Sequence, residues 1–425
     1  MLDTLQITQL SNGIKIVTLE KPEAESAHIA IHVRVGSRNE TEAQNGASHF
    51  IEHMLFKGTQ KRSAKAISQA IEGQGGSINA FTDKDTTCYY AKVPYDRAFS
   101  AFEVLGDLFY NSIFDEKELN RERQVIAEEI FMYDDQPDSV AMENLNSQLW
   151  AGHPLGRPIL GSLENVLNMP RAELLNYRAT QYAPARTVFA FAGRIRHEKC
   201  VRYVEKLAGH LNNPPRLREP EPFTRAIPLT PLTLTQRSIQ QTQIAFGWRA
   251  PGIMEADKMP ILSFLSCLLG ETMMSRLFQS IRERKGLCYS INSGLSLGLD
   301  FGALVIAAGC DAGKSYYCAR SILTELHKIM EKPISAAELR RTRDYLCGRF
   351  RLRMDGAPIG WAAGRILFGL DVQPRAVLES LQMVTAQQIQ ALAAELFTPN
   401  RTALAIVAPK TSRCREETWR KLFAY

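Results

Sequence analysis

The sequence lacks any long apolar run: no stretch approaches the roughly eighteen apolar residues that a membrane-spanning helix requires. Its amino terminus has neither the basic and apolar regions of a secretory signal nor the Arg-rich, acid-poor composition of an organellar presequence. These absences argue against an integral membrane protein. They predict a soluble protein of the cytoplasm with no membrane partner.

Cysteine pairs and basic runs are also missing. The eight cysteines are scattered and form no CxxC pair, so we expect neither a disulfide framework nor a cysteine-based metal knuckle. The chain has 51 basic and 45 acidic residues, a net charge of +6, without a long basic run. A nucleic-acid partner is therefore not expected.

The length of 425 residues predicts at least two domains, each with its own apolar core. Six prolines interrupt the segment Asn212–Pro231, which has neither a helical nor a strand period and is typical of a stiff linker. We therefore predict a first domain over residues 1–211, a linker over 212–235 and a second domain over 236–425.

The two halves of the chain resemble each other. Residues 182–193 and 397–409 each contain a Pro-bearing turn followed by an apolar strand, and the helical pattern from Asp115 matches the one from Ile334. In each half, strands come first, then helices, then a closing strand. This order predicts an α+β fold of two homologous domains, each a mostly antiparallel sheet covered by helices on one face.

The stretch "SHFIEHMLF" has the spacing of a metal site. On a helix, His49 and His53 project from the same side because they are four residues apart, and Glu52 lies beside them. Two imidazoles from consecutive turns suit tetrahedral zinc, and Glu52 is then free to accept a proton from a bound water. The alternative is an ordinary buried helix, since the remaining positions are apolar.

A third ligand is expected from the predicted helix that contains Glu122, Glu128 and Glu129. The internal repeat places Arg349 opposite Glu129, so only the first half is predicted to hold the ion. Glu122 and Glu129 share a helical face because they are seven residues apart, so one can bind zinc while the other orients a histidine. Glu128 points elsewhere and is expected to be a solvated charge.

These residues resemble the inverted-motif zinc peptidases of the pitrilysin and insulinase group, and most closely the short bacterial and mitochondrial-processing-peptidase type. The resemblance extends over nearly the whole chain and includes "ASHFIEHMLFKGT", "GGSINAFTDKDTTCYY" and "SRLFQSIRERKGLCYS". It implies one zinc ion per chain, bound by His49, His53 and Glu129. It also implies Glu52 as general base and Glu122 as a supporting carboxylate.

The resemblance further implies an edge strand that takes up substrate as an added strand, with Asn79 and Ala80 near the scissile bond. Main-chain pairing of this kind explains a loose sequence preference. The alternative is that Asn79 only supports a turn after Gly75. The residues assigned to substrate binding are Gly76, Ser77, Ile78, Asn79, Ala80 and Phe81.

In the second half, Arg282 and Tyr289 match a pair that holds substrate and stabilises the developing oxyanion in this group. The alternative is a surface arginine and an ordinary strand tyrosine. Many relatives carry a Gly-rich turn before "SRLF", whereas this chain has "LLGETMMSRLF", so residues 270–274 depart from the family pattern.

The expected function is that of a zinc-dependent endopeptidase that cleaves extended or unfolded peptides inside a clam-shell chamber formed by the two domains. A homodimer is the expected assembly, and a heterodimer with a metal-free homologue is the other possibility. One rival interpretation is a non-catalytic structural or partner subunit of the same fold. Another is a zinc hydrolase that acts on a non-peptide amide.

Overall fold

The computed structural model describes residues 5–224, 229–356, 358–411 and 414–423. The strands in these ranges are β1 Leu5–Gln9, β2 Lys15–Glu20, β3 Ser26–Val33, β4 Ser77–Thr82, β5 Thr87–Pro94, β6 Thr187–Gly193, β7 Leu232–Arg237, β8 Gln241–Ala250, β9 Ser290–Leu297, β10 Gly302–Asp311 and β11 Thr402–Pro409.

The α-helices in the same ranges are α1 Ala47–Leu55, α2 Ala64–Ile71, α3 Ala98–Asn111, α4 Glu116–Asp134, α5 Pro137–Leu149, α6 Leu163–Asn168, α7 Arg171–Gln181, α8 His197–Ala208, α9 Met259–Ser266, α10 Ser315–Glu331, α11 Ala336–Gly356, α12 Pro358–Leu367, α13 Pro374–Met383, α14 Ala386–Leu396 and α15 Glu416–Arg420. Two π-helical segments, Cys267–Glu271 and Phe278–Arg284, belong to the second half of the chain.

The described residues form two compact units. Unit 1 draws on the ranges Met1–Ile130, Arg157–Glu221 and Arg353–Pro374, and unit 2 on the ranges Phe131–Gly156, Pro222–Leu352 and Arg375–Tyr425. Each unit therefore takes one segment from the opposite half of the sequence. The predicted domains, 1–211 and 236–425, differ from the compact units because they do not exchange these segments.

Each unit contains one sheet. The sheet of unit 1 has the order β1-β2-β6-β3-β5-β4, and that of unit 2 has the order β7-β11-β8-β10-β9. All neighbouring strands are antiparallel except the pairs β2–β6 and β7–β11, which are parallel. The prediction of an α+β chain with two mostly antiparallel sheets is confirmed.

The expectation that helices cover only one face of each sheet is wrong. Every residue of β6 and of β11 is buried, so both faces of these strands are apolar and both must be covered. In unit 1 the second face packs on α12, and in unit 2 it packs on α5. These two helices lie in the segments that each unit takes from the other half of the sequence.

The predicted linker contains regular structure at its end. Residues 212–224 form no helix or strand, whereas β7 begins at Leu232 and pairs with β11. Across the described part of the chain, no helix has both the length and the apolarity needed to span a bilayer.

Candidate metal centre

The position of helix α1 is set by burial of its apolar side chains and by contacts at its amino-terminal end. Phe50, Ile51, Met54 and Leu55 are completely buried in the core of unit 1. The helix starts after Gly46, whose φ of 103° lies in the left-handed region and favours glycine. Burial of these four residues turns the histidines and the glutamate of the motif toward the less buried side of the helix.

A buried carboxylate binds the start of α1. Glu40 is 2% exposed and accepts hydrogen bonds from the backbone N–H of Ser48 (2.7 Å), the backbone N–H of Gly46 (2.8 Å) and Nδ2 of Asn45 (3.0 Å). Burial raises the pKa of Glu40 to about 7, whereas these hydrogen bonds and the helix dipole favour its charged form. Glu40 thereby fixes the position from which α1 begins.

The three predicted ligands meet at one point. Oε2 of Glu129, on α4, lies 3.5 Å from Nε2 of His53 and 3.7 Å from Nε2 of His49. Zinc bonds of 2.0–2.1 Å in tetrahedral geometry place ligand atoms about 3.4 Å apart, so these separations match a set that surrounds one ion. Among the described residues, this is the group of His, Cys, Asp and Glu side chains that is arranged to hold a metal.

Glu122 orients one of the histidines. Its Oε2 accepts a hydrogen bond from Nδ1 of His53 (3.0 Å), and its Oε1 forms an ion pair with Nζ of Lys57 (2.8 Å). Because Nδ1 of His53 is engaged in this way, Nε2 is left to face Glu129. Glu128 is exposed on the same helix, as expected of a solvated charge.

The two histidines have opposite electrostatic environments. Burial, followed by the positive charge of His53, lowers the pKa of His49 to about 4, so the His49 ring is neutral at pH 7. Burial also favours the neutral ring of His53, but contacts with Glu122 and Glu129 outweigh it and raise the pKa of His53 to about 9. The Nδ1 atom of His49 is buried and has no hydrogen-bond partner among the described residues.

The residues therefore fit a zinc ion. A neutral imidazole, a second imidazole oriented by a carboxylate and a carboxylate ligand are the donors that zinc prefers in sites with an open position. Contact with His53 is the main reason why the pKa of Glu129 lies below its ordinary value. The assignment of these three side chains as ligands stays a prediction.

Glu52 lies beside the cluster and is held by Thr82. The Thr82 hydroxyl donates a hydrogen bond to Oε2 of Glu52. Burial raises the pKa of Glu52, and the hydrogen bond from Thr82 opposes this effect. A raised pKa makes the carboxylate of Glu52 a stronger proton acceptor.

Five of the six residues assigned to substrate binding, residues 77–81, lie in the edge strand of the sheet in unit 1, whereas Gly76 precedes that strand. Strand β4 pairs with β5 on one side and is the last strand in the order, so its other side has no strand partner among the described residues. Ser77, Asn79 and Phe81 are exposed, and Phe81 is 46% exposed. The side chain of Asn79 accepts a hydrogen bond from the backbone N–H of Ala80 (2.8 Å).

Arg282 and Tyr289 lie together in unit 2. Arg282 belongs to the second π-helical segment, and its guanidinium carbon lies 5.6 Å from the centre of the Tyr289 ring. The Tyr289 side chain is 77% exposed and makes no hydrogen bond to the described residues. The two residues thus form a cation–π pair on the surface of the unit.

The segment 270–274 has a defined conformation in unit 2. Gly270 lies in the first π-helical segment, where a Cβ atom would meet the backbone nitrogen of Ser293 at 2.4 Å. Glu271 pairs with Arg349, the residue that the internal repeat places opposite Glu129. In unit 2, the residue that the repeat aligns with the candidate ligand Glu129 therefore forms an ion pair between two helical segments.

Sequence reasoning missed three residues that contact the centre or its helix. Lys57 and Thr82 lie in "FKGT" and "NAFT", stretches that the family resemblance already included, but their partners are 65 and 30 positions away. Glu40 lies several residues before the start of α1, outside the positions at which side chains usually cap a helix, so its contact with the helix could not be predicted from spacing. A long-range partner has no signal in a single sequence, so tertiary structure was required to find these contacts.

Two family models match the chain in succession. The model described as insulinase, peptidase family M16, matches residues 15–163, and the model described as the peptidase M16 inactive domain matches residues 168–346. The first match includes all the residues of the metal cluster. The second includes Arg282 and Tyr289.

Curated relatives match over nearly the full length. An uncharacterised zinc protease of Bacillus subtilis is 34% identical over 94% of this chain and 97% of its own length. An uncharacterised zinc protease of Mycobacterium leprae is 35% identical over 96% of this chain and 92% of its own length.

Solved structures share the fold at lower identity. A protease from Helicobacter pylori superimposes with a TM-score of 0.87 at 20% identity and covers 96% of this chain and 100% of its own. A chain in a structure of complex III2 from Candida albicans superimposes with a TM-score of 0.83 at 17% identity and covers 98% of this chain and 99% of its own.

Proposed function

The chain belongs to peptidase family M16, and we propose that it is a zinc-dependent endopeptidase that cleaves extended or unfolded peptides. The observation that carries this proposal is the convergence of His49, His53 and Glu129 at one point, with Glu52 beside them. The names of the curated relatives support zinc as the metal.

The side chains of the centre have separate roles in this proposal. His49, His53 and Glu129 hold the ion, which supplies Lewis acidity and lowers the pKa of water to about 7 when it is bound at such a donor set. Glu52 accepts a proton from the attacking water and donates it to the leaving amine. Glu122 keeps His53 in the tautomer that directs Nε2 toward the ion.

The free edge of β4 supports an extended peptide as the substrate. A peptide that adds to a sheet edge is bound through its main chain, so its side chains are read only loosely. The exposed face of the strand, which includes Asn79 and Phe81, is available for contacts with the peptide. We assign Arg282 and Tyr289 to substrate binding and to stabilisation of the oxyanion, because a guanidinium and a phenol can both donate hydrogen bonds to developing negative charge.

A non-catalytic subunit is the second candidate, because a chain of complex III2 shares the fold. The complete set of candidate ligands and Glu52 favours the enzyme over this alternative. We propose a homodimer as the assembly, with a heterodimer as the alternative. Light scattering of the purified chain distinguishes the two: a homodimer gives a single species of twice the chain mass, whereas a chain that requires a second protein gives a monomer.

The test combines metal analysis with peptide cleavage. The purified protein is expected to bind one zinc ion per chain and to cleave quenched unstructured peptides internally. Glu52→Gln is expected to keep the zinc and to lose turnover by several powers of ten, because the amide cannot accept the proton. Full activity of Glu52→Gln would refute its role as base, and a zinc-loaded protein that cleaves no peptide would support the non-catalytic candidate.

A further inference from the structure

We propose that Thr82 is a positioning residue that holds the carboxylate of Glu52 in place for proton transfer. Its hydroxyl donates to Oε2 of Glu52, and no other described residue forms a hydrogen bond with that carboxylate. This inference rests on the proposed function, because it assigns the support of the proposed base.

The strand geometry directs Thr82 toward α1. Alternate residues of β4 face opposite sides of the sheet, and Ile78 and Ala80 pack on the apolar core that also buries α1. Thr82 has the same parity as these two residues, so its side chain projects from the face that carries Glu52. Phe81 has the opposite parity and is exposed.

The backbone of Thr82 is fixed on both sides. Thr82 is opposite Thr87 in the register of β4 and β5, and the turn that follows is closed by the backbone N–H of Asp83, which donates to the carbonyl of Thr86 (2.7 Å). The carbonyl of Asp83 in turn accepts from the backbone N–H of Ser37 (3.1 Å). A β-branched side chain on such a backbone has few χ1 rotamers, which limits the directions that the hydroxyl can take.

The hydrogen bond gives the two oxygens of the Glu52 carboxylate different roles. Oε2 of Glu52 is engaged by Thr82, so Oε1 remains for the water and for the leaving amine. Without the hydroxyl, the carboxylate rotates among several orientations, and fewer of them place an oxygen within reach of the reacting atoms. The loss is therefore expected in turnover and not in substrate binding or in zinc binding.

The test uses Thr82→Val, which keeps the shape of the side chain and removes the hydroxyl, and Thr82→Ser, which keeps the hydroxyl. Thr82→Val is expected to lower kcat about ten- to hundredfold with KM within about twofold of the parent, and Thr82→Ser to retain most of the parent kcat. The matched control is Thr86→Val in the same turn, since the Thr86 hydroxyl makes no hydrogen bond to the described residues. This control is expected to match the parent.

Two measurements separate positioning from a general structural effect. The zinc content of Thr82→Val is expected to equal that of the parent, and its circular dichroism spectrum is expected to show the fold of the parent. In a Glu52→Gln background, Thr82→Val is expected to cause no further loss, because its effect passes through the replaced carboxylate. A crystal structure of Thr82→Val is expected to show the Glu52 side chain displaced from its position in the parent.

Several results would overturn the inference. These are an unchanged kcat in Thr82→Val, an equal loss in Thr82→Val and Thr82→Ser, a change confined to KM, or loss of zinc from Thr82→Val. A parent protein that binds zinc but cleaves no peptide would refute the proposed function, and the role of Thr82 with it. That outcome is recognised from the parent alone, before any Thr82 variant is assayed.

Discussion

Replacement of Glu122 by glutamine tests whether this carboxylate supports zinc binding. The Glu122 side chain is 4% exposed and accepts from Nδ1 of His53 at 3.0 Å while it pairs with Nζ of Lys57 at 2.8 Å. A glutamine has nearly the same volume, but its amide group has one accepting oxygen and one donating nitrogen. In Glu122→Gln, one of the two donors must therefore face the NH2 group.

The expected loss follows from the type of contact removed. A hydrogen bond to a charged group contributes about 1.5–3 kcal/mol, and about 1.4 kcal/mol corresponds to a factor of ten in an equilibrium constant. Part of this energy orients the His53 ring in the metal-free protein and part acts when zinc is bound. We therefore expect the zinc dissociation constant to rise about 10- to 100-fold, the usual effect of removing a carboxylate that supports a metal-binding histidine.

The measurement is competition for zinc with a chromophoric chelator at fixed pH and ionic strength. Glu128→Gln is the matched control, because it removes the same charge from an exposed position of the same helix and is expected to change zinc affinity by less than about twofold. Circular dichroism establishes that both variants are folded. A folded Glu122→Gln with the zinc affinity of the parent, or an equal loss in Glu128→Gln, would refute the reasoning.

The remaining predictions concern the same centre. Glu129→Ala is expected to bind no zinc in metal analysis after dialysis, and retention of one ion would exclude Glu129 as a ligand. Lys57→Met is expected to weaken zinc binding in the chelator assay by less than Glu122→Gln, because Glu122 keeps its contact with His53; a larger loss would contradict this order. Zinc binding requires neutral His53, whose pKa is about 9 without metal, so zinc affinity is expected to rise between pH 7 and 9 and then to level off. The charged His53 ring stabilises the protein without metal, and this stabilisation is lost as pH rises from about 6.5 through 9. A zinc affinity and a free energy of unfolding in urea that do not change over this pH range would refute these two predictions. Glu40→Ala leaves three donors at the start of α1 without their acceptor and is expected to lower the free energy of unfolding by about 3 kcal/mol or more in urea, whereas a loss below about 1 kcal/mol would contradict its role.

The local part of the centre could be predicted because it follows from helical spacing. The four-residue step from His49 to His53 and the seven-residue step from Glu122 to Glu129 each put two side chains on one face of a helix. The distance between Oε2 of Glu129 and both imidazoles agrees with the expected convergence. The internal repeat excluded the second half as a metal site, and there Arg349 forms an ion pair.

The arrangement of helices around the sheets could not be predicted in the same way. The sequence predicts an apolar strand within 182–193 and another within 397–409, each with helices on one face. That each strand is buried on both faces, and that α12 and α5 cover the second faces, depends on packing between segments far apart in the chain. A single sequence contains no local signal for such packing, because any amphipathic helix could serve as the cover.

The sequence by itself indicated the number of sheets and the helix faces that carry the candidate ligands, because these follow from the internal repeat and from short-range spacing. The family and the choice of Glu129 over Glu122 as ligand came from the resemblance of its motifs to known peptidases. Only the tertiary structure showed the further contacts made by Glu122, by Glu52 and by the start of α1. Lys57, Thr82 and Glu40 act through hydrogen bonds and ion pairs between segments that are separate in sequence, and such contacts exist only after the hydrophobic core has brought the segments together.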